Sequence, residues 1–298
     1  MKILAPAKIN LYLDITGVRP DGTHDIETIF QTVSLYDSLE IQISKSRPGK
    51  AAPSFALDVS APAGAKNGLE GPRNIAWKAA EKFFQKYGVG DACRIRLKKQ
   101  IPVQAGLGGG SSDAAAVLRA CERIYLKGST PGEKAPLREI AGSLGADVPF
   151  FLEGGCAFAA GTGDRLSRLP APEFWAVLVK PDLGLSTREV YGWYDAHPPQ
   201  KSLTKQDKIR KMVKLIKLRK PFRDWSGLIY NCFEDVVYTR VPVLRQIKRS
   251  LLAHGAENAL LSGSGSALFG LVGSRAQGEK LKRAVAGKGL KTWVVQAS

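Results

Sequence analysis

The residues with the most chemically telling spacing lie in one run, Pro102-Val103-Gln104-Ala105-Gly106-Leu107-Gly108-Gly109-Gly110-Ser111-Ser112-Asp113. It leads from a short apolar alternating segment into an Ala- and Leu-rich one. Glycines let a backbone adopt positive φ and come close to a ligand. A helix that begins after such a loop presents unpaired N–H groups and the positive end of its dipole. Together these form a cradle suited to phosphate groups. The hydroxyls of Ser111 and Ser112 add ligands for phosphate or for a magnesium ion. The run is not a Walker A loop, because Gly110 is followed by Ser-Ser-Asp and not by Lys and Ser or Thr. It is not a dinucleotide fingerprint, because Ser111 stands where the third glycine of GxGxxG counted from Gly106 belongs. Taken alone, it also fits a tight strand-to-helix turn that holds no ligand.

Four further segments carry polar residues in ordered positions. They are Pro6-Ala7-Lys8-Ile9-Asn10-Leu11, Arg19-Pro20-Asp21-Gly22-Thr23-His24, Gly145-Ala146-Asp147-Val148-Pro149-Phe150-Phe151 and Leu261-Ser262-Gly263-Ser264-Gly265-Ser266. A lone Asp or Lys is usually a solvated surface charge, so none of these speaks by itself. As an ordered set they resemble the GHMP kinases. Residues 6–11 look like the N-terminal motif of that family, residues 102–112 like its phosphate-binding motif, and residues 261–266 like its C-terminal glycine motif. The second and third segments resemble the branch that acts on a cytidine diphosphate-linked methylerythritol. The resemblance covers nearly the whole chain and is thinnest from Ala196 to Trp225.

The resemblance implies transfer of the γ-phosphate of ATP to the 2-hydroxyl of the methylerythritol moiety, in non-mevalonate isoprenoid precursor biosynthesis. Asp147 matches the family's general base and Lys8 its second catalytic residue. Asp147 sits among Ala146, Val148, Pro149 and Phe150 and is expected to be partly desolvated. The ATP site would comprise Pro102 through Ser112, with Asn74 and Lys99 at adenine or its sugar and Ser112 at Mg2+. Asn74 reads equally well as a helix cap. Asn10, Thr23, His24, Thr187 and Tyr191 match substrate positions, with His24 at the cytosine edge, Tyr191 stacking on the base and Thr187 in the adjoining loop. Ser262, Gly263, Ser264 and Gly265 form the C-terminal glycine motif. Thr23 departs from the family pattern, which has an aromatic there as the other plate of a cytosine sandwich.

The implied architecture is α+β in two domains, an N-terminal α/β ATP-binding domain over 1–158 and a C-terminal ferredoxin-like substrate domain over 159–298, with the active site in the cleft between them. Residue patterning is compatible with this. Ile9 to Ile15 alternates as a strand, Arg19 to Gly22 is turn chemistry, and Ile26 to Ile43 holds further strands. Residues 47–65 read as an exposed loop around a weak strand, Phe55 to Val59. Asn74 precedes a helix over Ile75 to Tyr87. Cys93 to Leu97 reads as a strand, Ser111 to Leu126 and Pro136 to Leu144 as helices, and Gly145 as the stop. Trp175 to Lys180 is a strand, Lys205 to Leu218 and Val243 to Leu252 are helices, Ala267 to Val272 is a strand, and a last helix and strand follow.

The chain has 298 residues, 44% hydrophobic and 24% charged, which fits a globular protein and excludes a disordered or fibrous one. Its net charge of +17 suits nucleic acid, an anionic membrane surface or phosphorylated small molecules. Much of that charge falls between Lys201 and Arg223, where Ile209, Met212, Val213 and Ile216 recur at helical spacing. The plain reading is a basic surface helix packed by one face. Cys93, Cys121, Cys156 and Cys232 form no CxxC pair and the three histidines are scattered, so a zinc site is excluded and reduced core cysteines are expected. The N-terminus lacks a signal-peptide pattern, and no run approaches the roughly 20 apolar residues of a membrane span. A cytoplasmic monomer or homodimer acting on a small molecule and ATP follows. The alternatives are another GHMP kinase, acting on homoserine, mevalonate or a sugar, a catalytically dead regulatory member, or a basic nucleic-acid-binding protein, although no nucleic-acid motif is present.

Overall fold

The computed structural model describes residues 1–46, 53–61, 69–197 and 203–298, with the side chains of 203–206 excepted. The chain sorts into two compact units. One comprises residues 1–7, 35–103 and 108–153; the other comprises 8–34, 104–107 and 154–298. The expected cut at 158/159 does not follow these units. The reason lies in two long strands, β1 (Lys2–Val18) and β2 (His24–Ser44), each of which runs from one unit into the other. Residues 26–43, expected as several strands, belong to this single β2.

In the first unit, the later half of β2 pairs antiparallel with β4 (Ala92–Lys98), from Ser38 opposite Lys98 to Ser44 opposite Ala92. β4 in turn pairs parallel with β3 (Ser54–Ser60), the weak strand expected within residues 47–65, much of which lies outside the described residues. The helices are α1 (Ile75–Tyr87), α2 (Gly109–Tyr125), α3 (Pro131–Leu144) and α4 (Val148–Glu153). Asn74 caps α1 by accepting the Ala76 N–H at 2.8 Å. α3 starts five residues before the expected Pro136. Thr130 and Glu133 form a capping box there and Pro131 occupies the first turn, where a missing N–H costs nothing. Phe83 and Phe84 of α1 meet Tyr125 of α2 with ring centroids 5.9 and 5.7 Å apart. Each of these buried phenyl groups contributes about 1.5–3 kcal/mol through area removed from water.

In the second unit, the first half of β2 pairs antiparallel with β5 (Cys156–Gly161), which forms a hairpin with β6 (Arg165–Leu169). β1 pairs parallel with the short β8 (Tyr230–Asn231). A separate sheet has the order β11-β7-β10-β9, built from β7 (Trp175–Pro181), β9 (Asn258–Leu261), β10 (Leu268–Val272) and β11 (Leu290–Gln296), all antiparallel. Helices α9 (Pro242–Ala253) and α10 (Arg275–Val285) make the crossovers, which gives the β-α-β-β-α-β pattern of a ferredoxin-like domain. Between β7 and α9 the chain inserts α5 (Thr187–Ala196), α6 (Leu203–Lys217), α7 (Phe222–Trp225) and α8 (Glu234–Arg240). The core here is apolar residues such as Val177, Leu244, Leu251, Leu261 and Leu268.

α6 is the expected basic helix, and it buries Ile209, Met212 and Ile216 while Lys211, Lys214 and Lys217 stay exposed. All four cysteines are buried and free. Burial pushes the Cys93 thiol up to about 11, so it stays a neutral core group at physiological pH.

Candidate active site

In the second unit, three sequence-distant motifs meet. The Lys8 backbone N–H donates to Leu107 O at 3.0 Å, which ties the N-terminal motif to the glycine loop. Lys8 is 4% exposed, and its ammonium donates to Asn10 Oδ1 at 2.6 Å and lies 5.1 Å from the centre of the Phe30 ring. Asn10 Nδ2 donates to Thr28 Oγ1 at 2.8 Å, and Thr28 Oγ1 donates to Tyr12 O. This chain fixes the Asn10 amide so that its oxygen faces the lysine. Alternation on β1 places Lys8 and Asn10 on one face, and alternation on β2 places Thr28 to receive them.

The glycine loop is docked on the C-terminal glycine motif by its backbone. Gly106 has φ +71°, and a Cβ there would fall 1.9 Å from Ser262 O, so no other residue fits without displacing backbone. Ser262 Oγ donates to Gly106 O at 3.0 Å. The Ala267 N–H donates to Ala105 O at 3.2 Å, and the Ser266 N–H to Gln104 O at 3.4 Å. A Cβ on Gly263 would lie 3.3 Å from Asn10 Oδ1 and 3.2 Å from Gly106 O, so all three motifs share one small volume. Asn231, 2% exposed, holds the glycine motif from behind by donating to Leu261 O at 2.8 Å and Gly263 O at 2.7 Å. Nothing in the sequence singled out Asn231.

In the first unit, the loop continues through Gly108, in the left-handed region, into α2. The first turn of α2 therefore starts at Gly109-Gly110-Ser111, and its N-cap, Gly108, makes no side-chain cap hydrogen bond. A Cβ on Gly145 would lie 3.9 Å from Ser111 Oγ, so the segment that carries Asp147 runs beside this helix start. Asp147 is half-buried and immediately precedes α4, its carbonyl accepting the Phe151 N–H at 3.4 Å. The partial desolvation expected for it is present.

Beneath the loop sits a buried ionic cluster that the motifs did not disclose. The Lys99 ammonium donates to Asp113 Oδ2 at 2.7 Å and to Asp37 Oδ2. Asp37 Oδ1 also accepts the Gln100 and Ile101 backbone N–H groups. The cluster thus clasps the strand end that enters the glycine loop to the helix that leaves it. Burial works to lower the Lys99 ammonium, but the two carboxylates outweigh it and hold it above its usual value. Burial pushes the Asp113 carboxyl up to about 8, opposed by Lys99 and assisted by Asp37. Lys99, expected near the adenine or its sugar, has its ammonium bonded to two carboxylates.

Other expected residues also found different surroundings. Asn74 uses both ends of its amide within the fold, donating to Leu69 O and accepting from Ala76, which is the helix-cap reading. The Ser112 hydroxyl is buried and has no hydrogen-bond partner among the described residues, and Ser111 keeps partial exposure. Thr187 opens helix α5 and is not in a loop, and its hydroxyl lies 3.1 Å from Ser264 Oγ. Thr23 is exposed, with its hydroxyl and N–H both bonded to Asp21 Oδ1. His24 Nε2 lies 2.7 Å from Asp195 Oδ1. The His24 ring is 4.8 Å from Tyr191 and inclined at 58° to it, and Tyr191 packs 4.8 Å from Phe233. Asp195 follows Tyr191 by four residues on α5, a spacing that puts both on one helix face.

A family model described as the GHMP kinases N terminal domain matches residues 74–155, and one described as GHMP kinases C terminal matches residues 212–291. The chain belongs to the GHMP kinases. A 4-diphosphocytidyl-2-C-methyl-D-erythritol kinase of Pelotomaculum thermopropionicum is 42% identical over 269 residues, covering 90% of this chain and 88% of that protein. One from Moorella thermoacetica is 41% identical, covering 94% and 91%. A crystal structure of 4-(cytidine 5'-diphospho)-2C-methyl-D-erythritol kinase superposes over the full length of both chains with a TM-score of 0.78 at 33% identity. A homoserine kinase from Cytophaga hutchinsonii, at 19% identity and a TM-score of 0.74, shares the fold. GHMP kinases take ATP as co-substrate, and the two-domain α+β architecture expected from the motifs is that of the family.

Proposed function

We propose that this GHMP kinase transfers the γ-phosphate of ATP to the 2-hydroxyl of 4-diphosphocytidyl-2-C-methyl-D-erythritol, a step of the non-mevalonate route to isoprenoid precursors. The observation that carries this reading is the meeting of Lys8 and Asn10 with Gly106 and the Ser262-Gly263 backbone. The names of the relatives that match most of the chain supply the acceptor. An alcohol is a poor nucleophile until its proton has a destination. The Asp147 carboxylate is assigned that role, as a general base. The substrate oxygen then bonds to the γ-phosphorus, the bond to the β–γ bridging oxygen breaks, and ADP leaves with the electron pair.

Most of the remaining catalysis is positioning and electrostatics. The glycine loop and the first turn of α2 cradle the phosphates through backbone N–H groups. Lys8, oriented by Asn10, offsets charge on the transferring group. Magnesium, when bound, neutralises phosphate charge, and it needs only one or two protein oxygens in such sites. Ser111 is the hydroxyl suited to hold it. His24 and Tyr191 are assigned to the cytosine, and Thr187 and Asn10 to the rest of the substrate. The reading places the enzyme in the cytoplasm with ATP and this small molecule as its partners.

Incubation with ATP, magnesium and the diphosphocytidyl substrate, followed by phosphorus NMR, tests the assignment. A new phosphomonoester resonance is expected. Its absence, with turnover of homoserine or mevalonate instead, overturns the choice of acceptor.

A further inference from the structure

The basic row on α6 borders a cavity of about 630 Å³ that the kinase reading does not use. Its other wall is the β5–β6 hairpin together with Glu27 of β2. Glu27 and Thr28 are neighbours on a strand, so their side chains point to opposite faces. Thr28 serves Asn10 and Lys8, and the cavity therefore lies on the far face of β2 from that cluster. Strand register supports this placement: Glu27 is opposite Ala160, and Phe158 is opposite Ser167, which puts Glu27, Phe158 and Ser167 on one face.

The lining has two chemistries side by side. Phe158 and Val213 are half-buried and Leu218 is 59% exposed, so apolar surface remains open to a ligand. Beside it, Arg210, Lys214 and Lys217 recur at four- and three-residue steps along one side of the helix. All three are exposed, and none of their side chains has an ion pair or hydrogen bond among the described residues. Glu27 is the one carboxylate among the described lining residues, so positive charge predominates there. The volume falls within the roughly 300–1,000 Å³ typical of small-ligand sites. A nucleic acid would call for a basic face with open aromatic plates. Here the basic row edges an apolar hollow instead.

We propose that this cavity binds a single-chain amphipathic phosphate monoester. Its chain lies on Phe158, Val213 and Leu218, and its dianionic head lies among Arg210, Lys214 and Lys217. Arg210 suits the head because its guanidinium donates two parallel N–H groups to phosphate oxygens. The lysines act as point charges, and the Ser167 hydroxyl adds a donor.

The test is isothermal titration of the full-length protein with decyl phosphate below its micelle concentration. Parallel titrations use inorganic phosphate, decyltrimethylammonium and phosphatidylglycerol vesicles. The expected result is saturable one-to-one binding of decyl phosphate. The double variant Lys214→Glu with Lys217→Glu should weaken it by at least about tenfold, and Leu218→Asp should weaken it separately. These positions are exposed, and unchanged circular dichroism and Tm show that the variants fold. The proposal is overturned by absent binding or by affinity that both variants leave unaltered. It is equally overturned if phosphate alone or the cationic amphiphile binds as tightly, or if vesicles bind while the monomeric amphiphile does not.

Discussion

Replacing Lys99 with methionine keeps most of the unbranched stem of the side chain and deletes its charge. The structure fixes what that deletion leaves behind. The side chains of Lys99, Asp37 and Asp113 are 5%, 0% and 3% exposed, and the ammonium bridges both carboxylates. Breaking a buried ion pair by removing one partner costs about 3–5 kcal/mol, because the other charge stays buried without compensation. Burial already holds the Asp113 carboxyl above its ordinary value, and loss of the ammonium leaves Asp113 and Asp37 facing each other without a cation. Asp37 keeps its two backbone donors, Gln100 and Ile101. The loss should therefore sit at the lower end, about 3 kcal/mol, a large part of the roughly 5–15 kcal/mol that stabilises a typical protein. Urea unfolding at neutral pH followed by far-ultraviolet circular dichroism measures it. Adding Asp37→Asn to Lys99→Met removes one of the two carboxylates left facing each other and should recover part of the loss. A loss of under about 1 kcal/mol, the value of an exposed pair, would refute the reasoning.

The Asp113 carboxyl is displaced upward from 3.8 to about 8, so the folded state binds its proton more tightly than the unfolded chain does. Its contribution to stability is full below about pH 4 and is lost as pH rises through 8. Asp113→Asn should flatten the fall in Tm between pH 5 and pH 8 relative to the parent, and identical pH profiles would contradict this. Gly106→Ala forces a Cβ to within 1.9 Å of Ser262 O at φ +71°. The left-handed backbone alone costs about 1–2 kcal/mol for a non-glycine residue. Both Tm and affinity for ATP should drop, and thermal scans with nucleotide titration would expose an unaffected variant.

The sequence spoke most clearly where one local force decides. Asn74 before an apolar period marked the start of α1, and the glycine-rich stretch at residues 106–110 marked the entry to α2. Lys8 and Asn10 both stood in the N-terminal motif at residues 6–11, and they are bonded. What stayed hidden depends on partners far away in the chain. Lys99 looked like a ligand because nothing local reveals that Asp37, sixty-two residues earlier, occupies its ammonium. Asn231 carries no motif, and its task is set by two carbonyls some thirty residues later. α4 was missed because Val148 to Glu153 is too short to show a helical period. The two compact units differ from a cut at 158/159 because a strand's pattern does not show that it passes through both.

The most direct test of the catalytic account is the turnover of Asp147→Asn. The substitution keeps the shape of a half-buried side chain and removes its ability to accept the hydroxyl proton. General-base catalysis contributes about 10²–10⁴-fold, so kcat for the diphosphocytidyl substrate should fall by that factor while Tm stays within a few degrees of the parent. A folded Asp147→Asn enzyme with kcat near that of the parent would contradict the account.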